Sequence, residues 1–263
     1  MSKLLSELRE RRPLVHCMTN IVVANFQANG LLALGASPVM ADAPEEVEEM
    51  ASAASCTVLN IGTLHREALE AMELAGKSAN RAGNPVVLDP VGAGATRFRR
   101  DAVSRLLGAL DVTLIRCNAG ELAAIAGVDW QASGVDAGQG EMDVEAVAAQ
   151  VARHYGCLVA VTGETDVLTD GERTVRISGG HPAMSRITGA GCLLSSVCGA
   201  FLAVGKDPFR SVAAALALYK AAGERATEAS SLPGSFLAAF IDRLALLKDD
   251  DFIVPEPEKE VRA

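Results

Sequence analysis

The chain has 263 residues, 49% of them hydrophobic and 22% charged, with a formal net charge of −9 at pH 7. That length and composition exclude a disordered chain and suit one large α/β domain better than two small ones. With no basic field, nucleic acid and anionic membrane are excluded as main partners, and a polyanion such as ATP would need a metal ion and local dipoles.

In chain order, the first ten residues read as an amphipathic start rather than a signal peptide. Continuous apolar runs at 13–18, 38–41, 56–61, 85–88, 112–116 and 157–162 are expected to be buried strands, as in parallel sheets covered on both faces. Helical patterns fall between them, near 21–34, 44–54, 65–82, 97–110, 119–126 and 143–155. Asp42 and Pro44, followed by Glu45 and Glu46, mark a helix start, and Asp207-Pro208 marks another for a helix near 208–229. The segment 129–142, with three glycines and Trp130, reads as a mobile loop. A hairpin over 166–169 and 174–178 is expected around Asp170-Gly171. Three mostly helical segments follow, then an acidic, Pro-containing tail from Asp249 that reads as frayed.

This alternation predicts a doubly wound α/β layer sandwich, and no repeat or composition boundary divides it, so 1–263 reads as a single domain. The uncharged stretches 21–41 and 187–205 are long enough to span a bilayer. Asn25, Gln27, Asn29 and Pro38 break the first and Gly and Ser the second, so both are expected to be buried helices of a soluble domain. Among the six cysteines there is no C-x-x-C pair and no His at ligand spacing, which argues against zinc. Cys17, Cys56, Cys117 and Cys157 bound the strand-like runs and read as small hydrophobes in a reducing cytosol.

The familiar nucleotide fingerprints fail. Gly92 to Arg97 lacks the third glycine of a dinucleotide turn, and Gly199 to Lys206 has the wrong spacing for a P-loop and is followed by Asp207. There is no Gly-x-Ser-x-Gly, and His16, His65, His154 and His181 are dispersed. Three strand ends remain, at the edge where open α/β sheets bind ligands. Asp89 ends one strand, as a site carboxylate or a helix cap. Arg116, Asn118 and Glu121 follow the next, a cation, an amide and a carboxylate whose oxygens suit Mg²⁺ bridging to phosphate, or, for Asn118 with Glu121, a capping box. Thr162-Gly163 ends a third, as a phosphate contact or a plain hairpin turn. The turn Thr188-Gly189-Ala190-Gly191-Cys192 opens an uncharged helix whose first N–H groups and dipole suit an anion; a small-residue cap is the alternative.

Taken together, these segments resemble the ribokinase-like superfamily, and within it the hydroxyethylthiazole kinase family. The matching residues run in order over nearly the whole chain: Pro13 to His16 with Thr19-Asn20, Ala28 to Met40, Asp89 to Gly94, Arg116 with Asn118-Ala119 and Glu121, Thr162-Gly163, and Thr188 to Cys192. The resemblance implies a three-layer sandwich with a mostly parallel central sheet and helices on both faces. It implies transfer of the ATP γ-phosphoryl group to the hydroxyl of 4-methyl-5-(2-hydroxyethyl)thiazole, a thiamine-salvage step, in a cytoplasmic homotrimer with sites between subunits.

By the same resemblance Arg116 and Thr162 would bind the nucleotide, Asn20, Met40 and Gly189 the thiazole, and Asp89 and Glu121 hydrated Mg²⁺. The amides of Gly189, Ala190, Gly191 and Cys192 would stabilise the transferring oxygens. Cys192, where related sugar kinases carry Asp, would act as a modest base or a positioning group, its thiol pKa lowered at a helix N-terminus. Cys117 replaces a more usual glycine, Ala190 a more usual threonine, and Cys17 is unusual beside the substrate strand. A kinase for another heteroaromatic alcohol, hydroxymethylpyrimidine or pyridoxal-like, and a non-catalytic nucleotide sensor are the competing readings.

Overall fold

The computed structural model describes residues 3–128 and 142–259. Its strands are β1 (Leu14–Met18), β2 (Ser37–Val39), β3 (Cys56–Asn60), β4 (Val86–Asp89), β5 (Leu114–Cys117), β6 (Leu158–Val161), β7 (Asp166–Thr169), β8 (Arg173–Ile177) and β9 (Glu258–Lys259). The first helices are α1 (Leu4–Arg11), α2 (Ala24–Leu34), α3 (Val47–Ala53), α4 (Arg66–Ala82) and α5 (Arg97–Ala109). The others are α6 (Ala119–Ala126), α7 (Val144–Tyr155), α8 (Ala190–Leu202), α9 (Pro208–Ala226) and α10 (Pro233–Leu246).

One sheet runs through the described residues in the order β2-β1-β3-β4-β5-β6-β7-β8-β9. The first six strands pair in parallel and the last three antiparallel. Strand side chains alternate between faces, and the alternation sorts the apolar residues into two cores. Val15, Cys17, Val58, Val87, Leu114, Leu158 and Ala160 pack under α1, α2, α8, α9 and α10. Leu59, Val86, Leu88, Ile115, Val159 and Val161 pack under α3 to α7. The expected three-layer sandwich is therefore present, with a mostly parallel sheet and helices on both faces.

Parity also aims the strand ends. Asn60 is two residues past Val58, Asp89 two past Val87, Arg116 two past Leu114 and Thr162 two past Ala160. All four continue the face that carries α8.

Four expectations need correction. The helix after Asp42-Pro44 begins at Val47, because Ala43 O first accepts from Glu46 N (3.0 Å) and Val47 N (3.2 Å) in a turn; the Glu46 side chain makes no cap. Residues 21–23 form a turn ahead of α2, and the stretch is not wholly buried: Ile21, Val22 and Leu32 are 86%, 66% and 57% exposed. The hairpin's second strand starts at Arg173, where Asp170 Oδ1 accepts from Arg173 N at 2.7 Å. The tail is docked rather than frayed as far as Lys259. Residues 249–251 form a 3₁₀ turn, Asp249 accepts from Leu5 N (2.9 Å) and Ser6 N (3.1 Å), and β9 pairs with β8. The 129–142 loop falls almost entirely outside the described residues.

Candidate active site

The N-terminus of α8 sits over the carboxyl ends of β3 to β6. Its N-cap, Gly189, has φ +91°, and a Cβ there would lie 2.6 Å from Val23 Cγ1, so the turn needs glycine for both conformation and space. Leu193 N bonds Gly189 O at 2.8 Å. Among the described residues, the N–H groups of Ala190, Gly191 and Cys192 meet no protein acceptor, which leaves a ready anion site. The α2 helix steadies this turn: Gln27 Nε2 donates to Cys192 O at 2.7 Å.

Beneath the turn lies Arg116, buried and shared between two partners. Nη1 donates to Asp89 Oδ1 at 3.3 Å and Nη2 to Thr162 Oγ1 at 2.7 Å. Its Nε has no partner. A Cβ on Gly191 would come within 2.8 Å of Nη2. Glycine at 191 thus leaves room for the Arg116 guanidinium as well as for an approaching anion. Burial alone would lower the Arg116 pKa, but Asp89 and Glu121 outweigh it and raise it, so the guanidinium stays charged.

Asp89 is fully buried, and its Oδ2 accepts from Asn60 Nδ2 (2.7 Å) and Ser195 Oγ (2.8 Å). Burial raises its pKa against the opposing pull of Arg116. Glu121 makes the capping box with Asn118, its Oε2 accepting Asn118 N at 2.9 Å, while Oε1 accepts Gly92 N at 2.9 Å. Capping and site roles coexist here, because each oxygen retains a free lone pair and the side chain lines the cleft. Burial, then the charge of Asp89, raises the Glu121 pKa.

On the other flank, Asn20 Nδ2 donates to Asn60 Oδ1 (2.9 Å) and to Cys192 Sγ (3.6 Å). A polar chain therefore links Cys192 through Asn20 and Asn60 to Asp89. Met40, directly after β2, is half-buried against the first core. His16 Nε2 donates to the next carbonyl, Ala41 O, at 2.8 Å, and burial lowers the pKa of this ring. The Cys192 thiol departs from expectation: burial, then Asp89, pushes its pKa up rather than down, so it stays protonated at neutral pH. A helix N-terminus lowers a thiol pKa only where the thiolate remains solvated or paired.

A cleft of about 1840 Å³ opens on the Arg116 side, lined among others by Gly92, Arg116, Glu121, Thr162, Gly191 and Lys220. That is ample for a nucleoside triphosphate. Asp89, Asn20, Met40 and Cys192 do not line it. Asp89 is fully buried and does not line the cleft, so the geometry does not favour it as a direct cation ligand; Glu121 lines the cleft. Among the described residues no group of three or more His, Cys, Asp or Glu is arranged to hold a metal ion.

Sequence reasoning missed Asn60, Ser195, Tyr219 and Lys220. Asn60 is the polar residue inside an apolar run, and Lys220 is a lone cation in the apolar helix 213–222, signals that were available. Ser195 gives none. The unusual cysteines stay out of the chemistry: Cys117 lies in the second core, and Cys17 contacts Ser196 Oγ at 3.4 Å inside the first.

Residues 5–250 match the model of the hydroxyethylthiazole kinase family. A hydroxyethylthiazole kinase of Listeria monocytogenes serotype 4a (strain HCC23) is 54% identical over 243 residues, covering 92% of this chain and 90% of the relative. The solved hydroxyethylthiazole kinase of Pyrococcus horikoshii OT3 superposes with TM-score 0.87 at 42% identity, over 94% of this chain and 93% of that one. A ribokinase-like superfamily protein of Enterococcus faecalis V583 shares the fold at TM-score 0.64 and 14% identity, over 93% and 94% of the two chains.

Proposed function

This chain belongs to the hydroxyethylthiazole kinase family, and on that premise we propose that it moves the γ-phosphoryl group of ATP onto the hydroxyl of 4-methyl-5-(2-hydroxyethyl)thiazole. The observation that carries the proposal is the row of unpartnered N–H groups at 190–192, set between an open cleft and the Cys192 flank. ATP would occupy the cleft, with Arg116 and Thr162 at its phosphates. The thiazole would lie on the side of Asn20, Met40 and Gly189. The alcohol oxygen attacks the γ-phosphorus as the bond to the β-phosphate oxygen breaks, and the amides of Gly189 to Cys192 hold the equatorial oxygens.

In a loose transition state the alcohol proton need not leave early. A neutral thiol is no acceptor for it, so Cys192 is read as a group that positions the alcohol and the proton departs late, to phosphate or solvent. Two carboxylates face one guanidinium at this end of the sheet, and burial first, then the charge of Asp89, raises the Glu121 pKa. A divalent cation, Mg²⁺ in this reading, would offset the charge of the nucleotide phosphates. Glu121 fits as its holder through water, whereas Asp89 contributes field alone.

The whole chain is read as one kinase domain. Exposed Ile21 and Val22, which follow Asn20 in the chain, support an assembly whose neighbour completes the pocket, read here as a homotrimer. All six cysteines are free, which supports a reducing, cytoplasmic setting, and among the described residues no helix is long and apolar enough to cross a membrane. The test is ATP turnover with Mg²⁺ against the thiazole, a hydroxymethylpyrimidine and pyridoxal, with the product identified by mass. Thiazole phosphate is the expected product. Phosphorylation of another ring alone would overturn the substrate assignment, and nucleotide binding without turnover would favour a sensor.

A further inference from the structure

Two adjacent residues of α9, Tyr219 and Lys220, reach the site from behind, and each holds a different turn. Lys220 is buried. Its Nζ donates to Gly163 O (2.9 Å) and Glu164 O (2.8 Å) and pairs with Asp166 Oδ1 (3.1 Å). Asp166 Oδ1 also accepts from Gly163 N at 3.0 Å, closing a ring around the turn that carries Thr162. An ammonium has three protons, and these three partners use them. Although Lys220 lines the cleft, it has no donor left for a phosphate.

Tyr219 is fully buried, and its hydroxyl donates to Ala190 O at 2.5 Å. Burial pushes its pKa well above the ordinary value, so it remains a donor. The Ala190 carbonyl and the Gly191 N–H belong to one planar trans peptide unit and point in opposite directions. A hydroxyl that fixes that carbonyl therefore aims that N–H. One turn further on, Glu224 Oε1 accepts from Gly180 N at 3.0 Å, so the same helix also fastens the segment before α8.

We propose that Lys220 and Tyr219 are positioning residues that divide the phosphate site between them: Lys220 sets the 162–164 turn that grips bound nucleotide, and Tyr219 aims the Gly191 N–H at the transferring group. This rests on the assignment of nucleotide to the cleft. Loss of Lys220 then weakens nucleotide binding, while loss of the Tyr219 hydroxyl slows turnover and leaves binding nearly intact. Simple destabilisation of α9 would move both quantities together for either variant.

The experiment measures the Kd of a non-hydrolysable ATP analogue with Mg²⁺ by calorimetry, together with kcat and KM, for wild type, K220M and Y219F. A K220M/D166N pair removes both buried charges and guards against a K220M chain that fails to fold, and thermal midpoints report folding throughout. We expect the Lys220 variants to raise Kd and the KM for ATP by about tenfold or more. Y219F should lower kcat by about tenfold or more and move Kd by less than about threefold. Folded Lys220 variants with wild-type Kd, or a Y219F chain with unchanged kcat, would overturn the inference while leaving the nucleotide assignment intact. Wild-type protein that binds no nucleotide would overturn the assignment itself and this inference with it.

Discussion

On one flank of the α8 N-terminus, Arg116, Thr162 and Glu121 line a cleft of about 1840 Å³ braced by side chains of the same chain. On the other, Asn20, Met40 and Cys192 lie outside that cleft, and Ile21 and Val22, directly after Asn20 in the chain, have 86% and 66% of their surface exposed. The flank proposed for nucleotide is preorganised by buried ion pairs and capping bonds within one chain. The alcohol flank ends in apolar surface that one chain leaves in water, an arrangement that suits a site finished by a neighbouring subunit. The two flanks should therefore fail differently when perturbed.

The largest effect is expected where they share one element. Gly191→Val drives a side chain into the Arg116 guanidinium and should cut turnover by about a thousandfold, with a much smaller loss of thermal stability; a fully active variant would break the shared-turn picture. Arg116→Leu should come next. It strands Asp89 as an unpaired buried carboxylate, costing about 3 kcal/mol of folding free energy, and it should weaken nucleotide binding without changing affinity for the thiazole. Denaturant titration and calorimetry check the two parts.

A perturbation of the open flank should show the reverse pattern. Ile21→Glu places charge on the exposed apolar surface, so sedimentation should show a smaller assembly, and the KM for the alcohol should rise while that for ATP holds. If the assembly and both KM values stay unchanged, the alcohol flank is complete within one chain.

Smaller still is the effect expected at the thiol. Cys192→Ala should cost less than about tenfold in kcat, since general-base loss would run to about a hundredfold or more. Because burial and Asp89 raise its pKa, Cys192 should react slowly with iodoacetamide at pH 7 and faster as pH climbs past the ordinary thiol range; fast, pH-independent labelling near neutrality would mean the thiolate is already present.

How far this was legible in the sequence follows from the kind of signal each residue carries. Strand period is strong, so the buried runs, and with them Asp89, Arg116 and Thr162 at equivalent ends, could be placed by spacing and parity. Helix starts were weaker: Asp42-Pro44 has the right residue types, but an intervening turn at 43–46 moved the helix to Val47. The tail's acidic composition hid its anchoring, because Asp249 bonds a helix more than two hundred residues away. Long-range partners such as Ser195 and Tyr219 leave no local mark, since a serine or tyrosine in an apolar helix reads as core. The direction of the Cys192 pKa was missed for a similar reason. Its helix position is local, whereas its burial and its distance from Asp89's charge are set by the fold.

A crystal structure with Mg²⁺, a non-hydrolysable ATP analogue and the thiazole tests the central claim most directly. It should show the terminal phosphate within about 3 Å of the Gly191 or Cys192 N–H, in line with an alcohol oxygen beside Cys192. A triphosphate whose end points away from α8, with those N–H groups bound only to water, would contradict it.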